Sequence, residues 1–157
     1  VTTGLLLTPW PLATMIMAPL AGRLVERIHA GILGGIGMTI FAAGLFLLAV
    51  LPDNPTNTDI IWRLFICGAG FGLFQTPNNS TIISSAPSNR SGGASGMLGT
   101  ARLLGQTLGA TLVAMIFNLV PNNSTQACLY LATGFAVVAA IISSLRISQP
   151  RPLKGFK

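Results

Sequence analysis

Residues 31–51 read GILGGIGMTIFAAGLFLLAVL, a stretch with no charge on any face of a helix. A helix at the surface of a soluble domain keeps a polar face; one that is apolar all round belongs in a large core or in lipid. Four comparable blocks occupy most of the rest of the chain: Thr3 to Gly22, Ile60 to Ile83, Met97 to Val120 and Gln126 to Leu145. Each is near the ~20 residues that a helix needs to cross ~30 Å of hydrocarbon. Charged residues make up only 8% of the chain and hydrophobic ones 51%, whereas a soluble domain carries roughly 25% charged residues. The expected fold is all-α, a polytopic membrane helix bundle. Its spans cover approximately 3–22, 31–51, 60–83, 97–120 and 126–145, and a basic tail covers 146–157.

The cations orient these spans. Arg23 and Arg27 lie between the first and second blocks, Arg90 between the third and fourth, and Arg146, Arg151, Lys154 and Lys157 after the fifth. The other two gaps, Pro52 to Asp59 and Pro121 to Thr125, contain no lysine or arginine. Basic connections stay on the cytoplasmic side, so the tail is cytoplasmic and the first span starts at the outer surface. The formal charge of +6 then faces anionic membrane lipid, and no nucleic acid partner is expected. We expect a multi-pass protein of a bacterial inner (plasma) membrane. The chain opens with Val1 almost directly into a span and carries an odd number of spans, so further N-terminal helices of the same protein are expected before it.

Polar residues inside the spans narrow the function. The third block changes along its length, from an apolar first half to the run QTPNNST at 75–81. Hydrocarbon does not tolerate such a run, and a proline break at membrane depth persists only beside protein or a water-filled cavity. The third span is therefore expected to line an aqueous path, with Gln75, Asn78 and Asn79 as candidate substrate contacts. The fourth block places Arg102, Gly105, Gln106 and Gly109 on one side of a helix and Thr100, Thr107, Thr111 and Asn118 on the other, so a helix touching protein on both sides is expected. Pro9, Pro11 and Pro19 should bend the first span. The second and fifth spans, apolar all round, should be peripheral. Arg63 stands one turn after Asp59, which predicts an i, i+4 pair anchoring the outer interface. His29 is expected to be a solvated loop residue.

Gly68, Gly70 and Gly72 superficially match a dinucleotide fingerprint, but that motif needs a preceding strand; inside an apolar span small residues serve packing. Catalysis needs clustered His, Asp, Glu or Ser, and apart from Glu26 the chain offers only Asp53 and Asp59 as acidic groups, so no enzyme, cofactor or metal is expected. No acidic residue falls at mid-membrane, and a proton-carrying carboxylate is expected elsewhere in the protein.

Residues 19–31, PLAGRLVERIHAG, resemble the cytoplasmic loop motif of the major facilitator superfamily, Gly-x-Leu-x-Asp-Arg-x-Gly-Arg. Gly22, Leu24 and Arg27 match it, and Glu26 stands in the place of Asp. His29 replaces the second glycine and Ala30 the following basic residue. Residues 92–110, GGASGMLGTARLLGQTLGA, resemble the penultimate helix of EmrB/QacA-type drug:proton antiporters, a fourteen-helix branch. Together with GAGFGLFQTP at 68–77, the resemblance covers nearly the whole chain. It implies the last five helices of a transporter that moves a small-molecule substrate against a proton by alternating access. The third span would line the cavity, the first and fourth would form the interface between halves, and the second and fifth would be outer helices. Gly22, Arg23, Glu26 and Arg27 would form a gating loop, with Gly22 permitting a tight turn. The expected activity is efflux of drugs or lipophilic toxic cations, for which the fragment by itself is not competent. The alternatives are uptake or export of a metabolite such as a sugar, amino acid or siderophore, and a membrane anchoring subunit.

Overall fold

Pro9 has no N–H to donate, and the first apolar block is accordingly split there: α1 (Thr2–Leu7) ends before it and α2 (Pro9–Val25) begins with it. Thr8 between them keeps helical dihedrals, and its carbonyl accepts from Leu12 N–H at 3.2 Å, so the two helices make one interrupted span. The remaining elements are α3 (Ala30–Ala49), α4 (Asn57–Ser84), a 3-10 turn at Ser88–Arg90, α5 (Ser91–Leu119) and α6 (Ser124–Leu145). The computed structural model describes residues 2–52 and 54–145. The basic tail expected over 146–157 lies outside the described residues. The fold is all-helical, and α3, α5 and α6 are long and apolar enough to cross a membrane on length and composition.

The ends of these helices explain several residues. The ring of His29 is half-buried, and its Nδ1 accepts from Gly31 N–H at 3.2 Å, so it caps α3 and is not simply solvated. At the start of α4, Thr56 and Asp59 form a reciprocal capping box. Asp59 Oδ2 accepts from the Thr56 hydroxyl at 2.5 Å and from Thr56 N–H at 3.2 Å. These bonds hold the Asp59 carboxyl below its ordinary value of 3.8. Because the folded value is the lower one, the cap's contribution is complete above that ordinary value and fades as pH falls through the lowered one.

Arg63 does not form the expected pair with Asp59. It reaches across to α3, where its Nη1 donates to the Leu47 carbonyl at 2.7 Å, and its guanidinium lies 5.1 Å from the Trp62 ring centroid. Leu47 is in the last turn of α3, where carbonyls lack intrahelical partners and the helix dipole favours a cation. Arg63→Met should therefore cost about 1.5–3 kcal/mol, the range for hydrogen bonds made by charged groups. A thermal melt of the detergent-purified protein reads this directly, and an unchanged midpoint would show that the bond carries no weight.

α4 is the wedge of the bundle, packed on α2 along one side and α3 along another, while α3 packs its other flank on α6. Helices in lipid gain little from hydrophobic burial against one another, so closeness of backbones and interhelical hydrogen bonds decide their packing. At the α3–α4 crossing a Cβ on Gly37 would stand 2.7 Å from Phe74 N and 2.8 Å from Gly70 O, both backbone atoms. The Thr14 hydroxyl shares its proton between its own Trp10 carbonyl at 3.0 Å and the Gly68 carbonyl at 3.1 Å, tying α2 to α4. Ser143 Oγ donates to Gly31 O at 3.3 Å, tying α6 to α3. Trp10, Phe41 and Phe71 meet where α2, α3 and α4 converge, with Trp10 edge-on to Phe41 at 5.6 Å between centroids.

Two expectations change here. α3 is not simply peripheral: its glycines let α4 and α6 close on it, and among its residues Ile32, Ile36, Thr39, Ala43 and Phe46 form a single exposed stripe. α4 also runs unbroken through Pro77. α5 is the opposite of α3, with no buried residue along its length.

Candidate functional site

On α4 the residues Gly68, Gly72, Gln75 and Asn79 follow at spacings of four, three and four, which puts them on one stripe of the helix. Its upper part faces α2: a Cβ on Gly72 would lie 3.2 Å from Met17 Cβ and from Thr14 Cα. Where the glycines stop, Gln75 and Asn79 continue the stripe with half-buried amides, and Asn78 beside them is also half-buried. The structure thus brings the three candidate contacts together within about one turn of the same helix. Pro77 between them is almost fully buried, so the carbonyl it frees a turn earlier lies within protein. Hydroxyls further along bond to their own helix, Thr81 Oγ1 to Pro77 O at 2.8 Å and Ser85 Oγ to Thr81 O at 2.6 Å. The chemistry on offer is neutral donors and acceptors at the side of a packed helix.

The loop residues lie at the end of the bundle that follows α2. Gly22 is not in a turn: α2 continues through it to Val25, and open space surrounds the position of its absent Cβ. The chain reverses at Glu26–Ile28, where Arg27 N–H and Ile28 N–H both reach Leu24 O, at 3.0 and 2.8 Å. The side chains of Arg23, Glu26 and Arg27 are exposed. Arg23 occupies the last turn of α2, where a cation is favoured by the dipole.

On α5, Arg102, Gly105 and Gln106 are exposed and Gly109 is half-exposed; a Cβ on either glycine would meet nothing within 4 Å. The opposite side differs in kind. Thr100, Thr107, Thr111 and Asn118 each donate to a carbonyl one turn back, at 2.9–3.1 Å, so their polarity is absorbed within the helix. Contact with protein on both sides does not form within the described residues, since α4 and α6 touch α5 only sparingly.

Sequence reasoning missed Thr14, Ser143 and the Leu47 carbonyl partner of Arg63. Nothing marks such residues beforehand, because any Ser or Thr in an apolar helix can bond its own carbonyl four residues back.

Apolar spans with cations at alternate turns, one span carrying a half-buried amide run below a glycine stripe, have the form of a polytopic membrane protein. The Major Facilitator Superfamily profile matches residues 1–157, and the chain belongs to that superfamily. It is 65% identical over 151 residues to the uncharacterized transporter YebQ of Escherichia coli (strain K12), covering 96% of this chain and 33% of the relative. It is 31% identical over 114 residues to the multidrug resistance protein Stp of Mycobacterium tuberculosis, covering 73% of this chain and 21% of that protein. The multidrug efflux pump LfrA of Mycolicibacterium smegmatis is 30% identical over 116 residues, covering 74% and 23% respectively. The chain therefore spans a third or less of the length of these relatives. No solved structure matches it.

Proposed function

We propose that this chain forms the last five helices of a proton-coupled efflux pump for drugs or lipophilic toxic cations, working by alternating access. The observation that carries the transport reading is the amide run of α4, half-buried beneath the stripe that packs on α2. Such polar groups at membrane depth serve a substrate path or helix-to-helix bonding. Gln75, Asn78 and Asn79 present donors and acceptors to a bound molecule. Arg102, Gly105, Gln106 and Gly109 form the face of α5 that docks on the helices outside this chain. Arg23, Glu26 and Arg27 offer exposed charges to the opposite half when the inner gate shuts. The coupling carboxylate lies in those other helices. The efflux part of the reading is supported by the likeness to proteins named for multidrug resistance and efflux.

Cysteines placed singly at 75, 78 and 79 of the full-length protein test the path. A small hydrophilic maleimide should label at least one and a transported cation should protect it; an anchoring subunit would leave all three unlabelled. Deletion of the gene should in turn raise accumulation of lipophilic cations, and unchanged accumulation and tolerance would remove the drug reading. A metabolite substrate is the second reading, favoured by 30% identity over 114 residues to the riboflavin transporter RibZ of Clostridioides difficile.

A further inference from the structure

Arg102 carries a full charge on the bare side of α5. That helix offers ~43 Å of length to ~30 Å of hydrocarbon, and Arg102 stands ~16 Å along it from Ser91. With α5 centred in the bilayer, its backbone there is ~10 Å below the inner surface. The side chain is exposed, and among the described residues it has neither a hydrogen bond nor an ion pair. Gln106 lies one turn deeper on the same side, also exposed and also without a partner among the described residues. Helical side chains lean towards the N-terminus, so its amide leans towards Arg102. Lipid does not suit this pair. An arginine alone can bend its head back to the surface, but the shorter Gln106, deeper in the span, cannot.

The described helices offer Arg102 no anion. Their acidic residues are Glu26, exposed in the turn after α2, and Asp59, engaged in the cap of α4. On the two helices that touch α5, the titratable groups are Asp59, Arg63 and Cys67 of α4 and Cys128 and Tyr130 of α6. All five stand in the first halves of helices that run opposite to α5, towards the outer end of the bundle, whereas Arg102 is in the inner half. Arg90, just before α5, has a like charge.

We infer that Arg102 forms an ion pair with a carboxylate on a helix of the same protein outside this chain, and that Gln106 donates to the same carboxylate. The inference rests on the docking role proposed above for this face. A lone cation at that depth is costly and selects an anion. A carboxylate has acceptor sites enough for a guanidinium fork and an amide together. Gly105 and Gly109, where a Cβ would meet nothing within 4 Å, let the helix that bears it come close. The chain covers 33% of its relative YebQ, and the acid belongs to the remaining length.

Thermal melts of the full-length protein in detergent without substrate, at about pH 5 and about pH 9, test this. Arg102→Gln strands a buried carboxylate, so its midpoint should fall by roughly 5–10 °C at the higher pH. An acid left alone takes up a proton and sheds its charge, so most of that deficit should vanish at the lower pH. Arg102→Lys keeps a cation and should show no such pH dependence. If Arg102→Gln does not accumulate, the acidic residues of the other helices are neutralised one at a time in that background, Asp to Asn or Glu to Gln. One of them should restore folded protein, because removing both partners costs less than removing one. A deficit of equal size at both pH values, or no rescue by any neutralised acid, overturns the pair. So does a pH-dependent deficit that appears only when an anionic substrate is added, which puts the carboxylate on the substrate. The melt needs no transport: cation export with equal deficits defeats the pairing alone, whereas a pH-dependent deficit in a protein that exports no cation defeats the efflux reading and supports the pairing.

Discussion

Gly37→Val should abolish the accumulation of folded protein. The added Cβ would stand 2.7 Å from Phe74 N and 2.8 Å from Gly70 O, and neither is the end of a side chain that can swing away. α3 and α4 would have to separate, and with them the contacts of Met38, Ala42, Leu45 and Cys67, which form one buried cluster with Ala136 and Ala140 of α6. Overpacking costs about 1–3 kcal/mol where side chains can adjust, and more is expected where backbone must move. Fluorescence-detected gel filtration of a tagged protein reads the result as loss of the monodisperse peak. A peak of wild-type height and position would show that α3 and α4 do not cross as described.

Gly105→Leu is expected to act by the opposite logic. Within this chain a Cβ there meets nothing, and replacing a helical glycine usually gains about 0.5–1 kcal/mol. If this face of α5 receives helices outside the chain, a leucine holds them apart, and about 1–3 kcal/mol of overpacking translates into a roughly five- to 150-fold loss of transport. Protein level and the α2–α3–α4–α6 packing should stay intact. Efflux of a lipophilic cation from cells producing the full-length variant is the measurement, with Gly92→Leu as an exposed control near the start of α5. Transport at the wild-type rate in both variants would remove the docking role of this face.

The fold class was legible because lipid imposes a uniform demand: apolar all round, about twenty residues, cations at alternate gaps. The polar half of α4 stood out for the same reason. What could not be read is which apolar helix is enclosed. α3 and α6 look alike in composition, yet α3 is gripped on two flanks because Gly34, Gly35, Gly37 and Gly44 admit neighbours, whereas α6 buries only Ser124, Ala136, Ala140 and Ser143. Partner choice was equally hidden. Asp59 and Arg63 are spaced for a pair, but the capping box claims the carboxylate first and the exposed end of α3 offers the arginine a carbonyl. Gly22 was misplaced because its motif is a loop motif, while α2 keeps its helix for three residues more.

Everything proposed for transport depends on α4 crossing the membrane with its two ends in different compartments. Reporter fusions after Asn57 and after Arg90, read with one enzyme active only inside the cell and one active only outside, measure this. An external signal is expected at Asn57 and a cytoplasmic one at Arg90; the same compartment for both would mean that α4 does not cross the membrane.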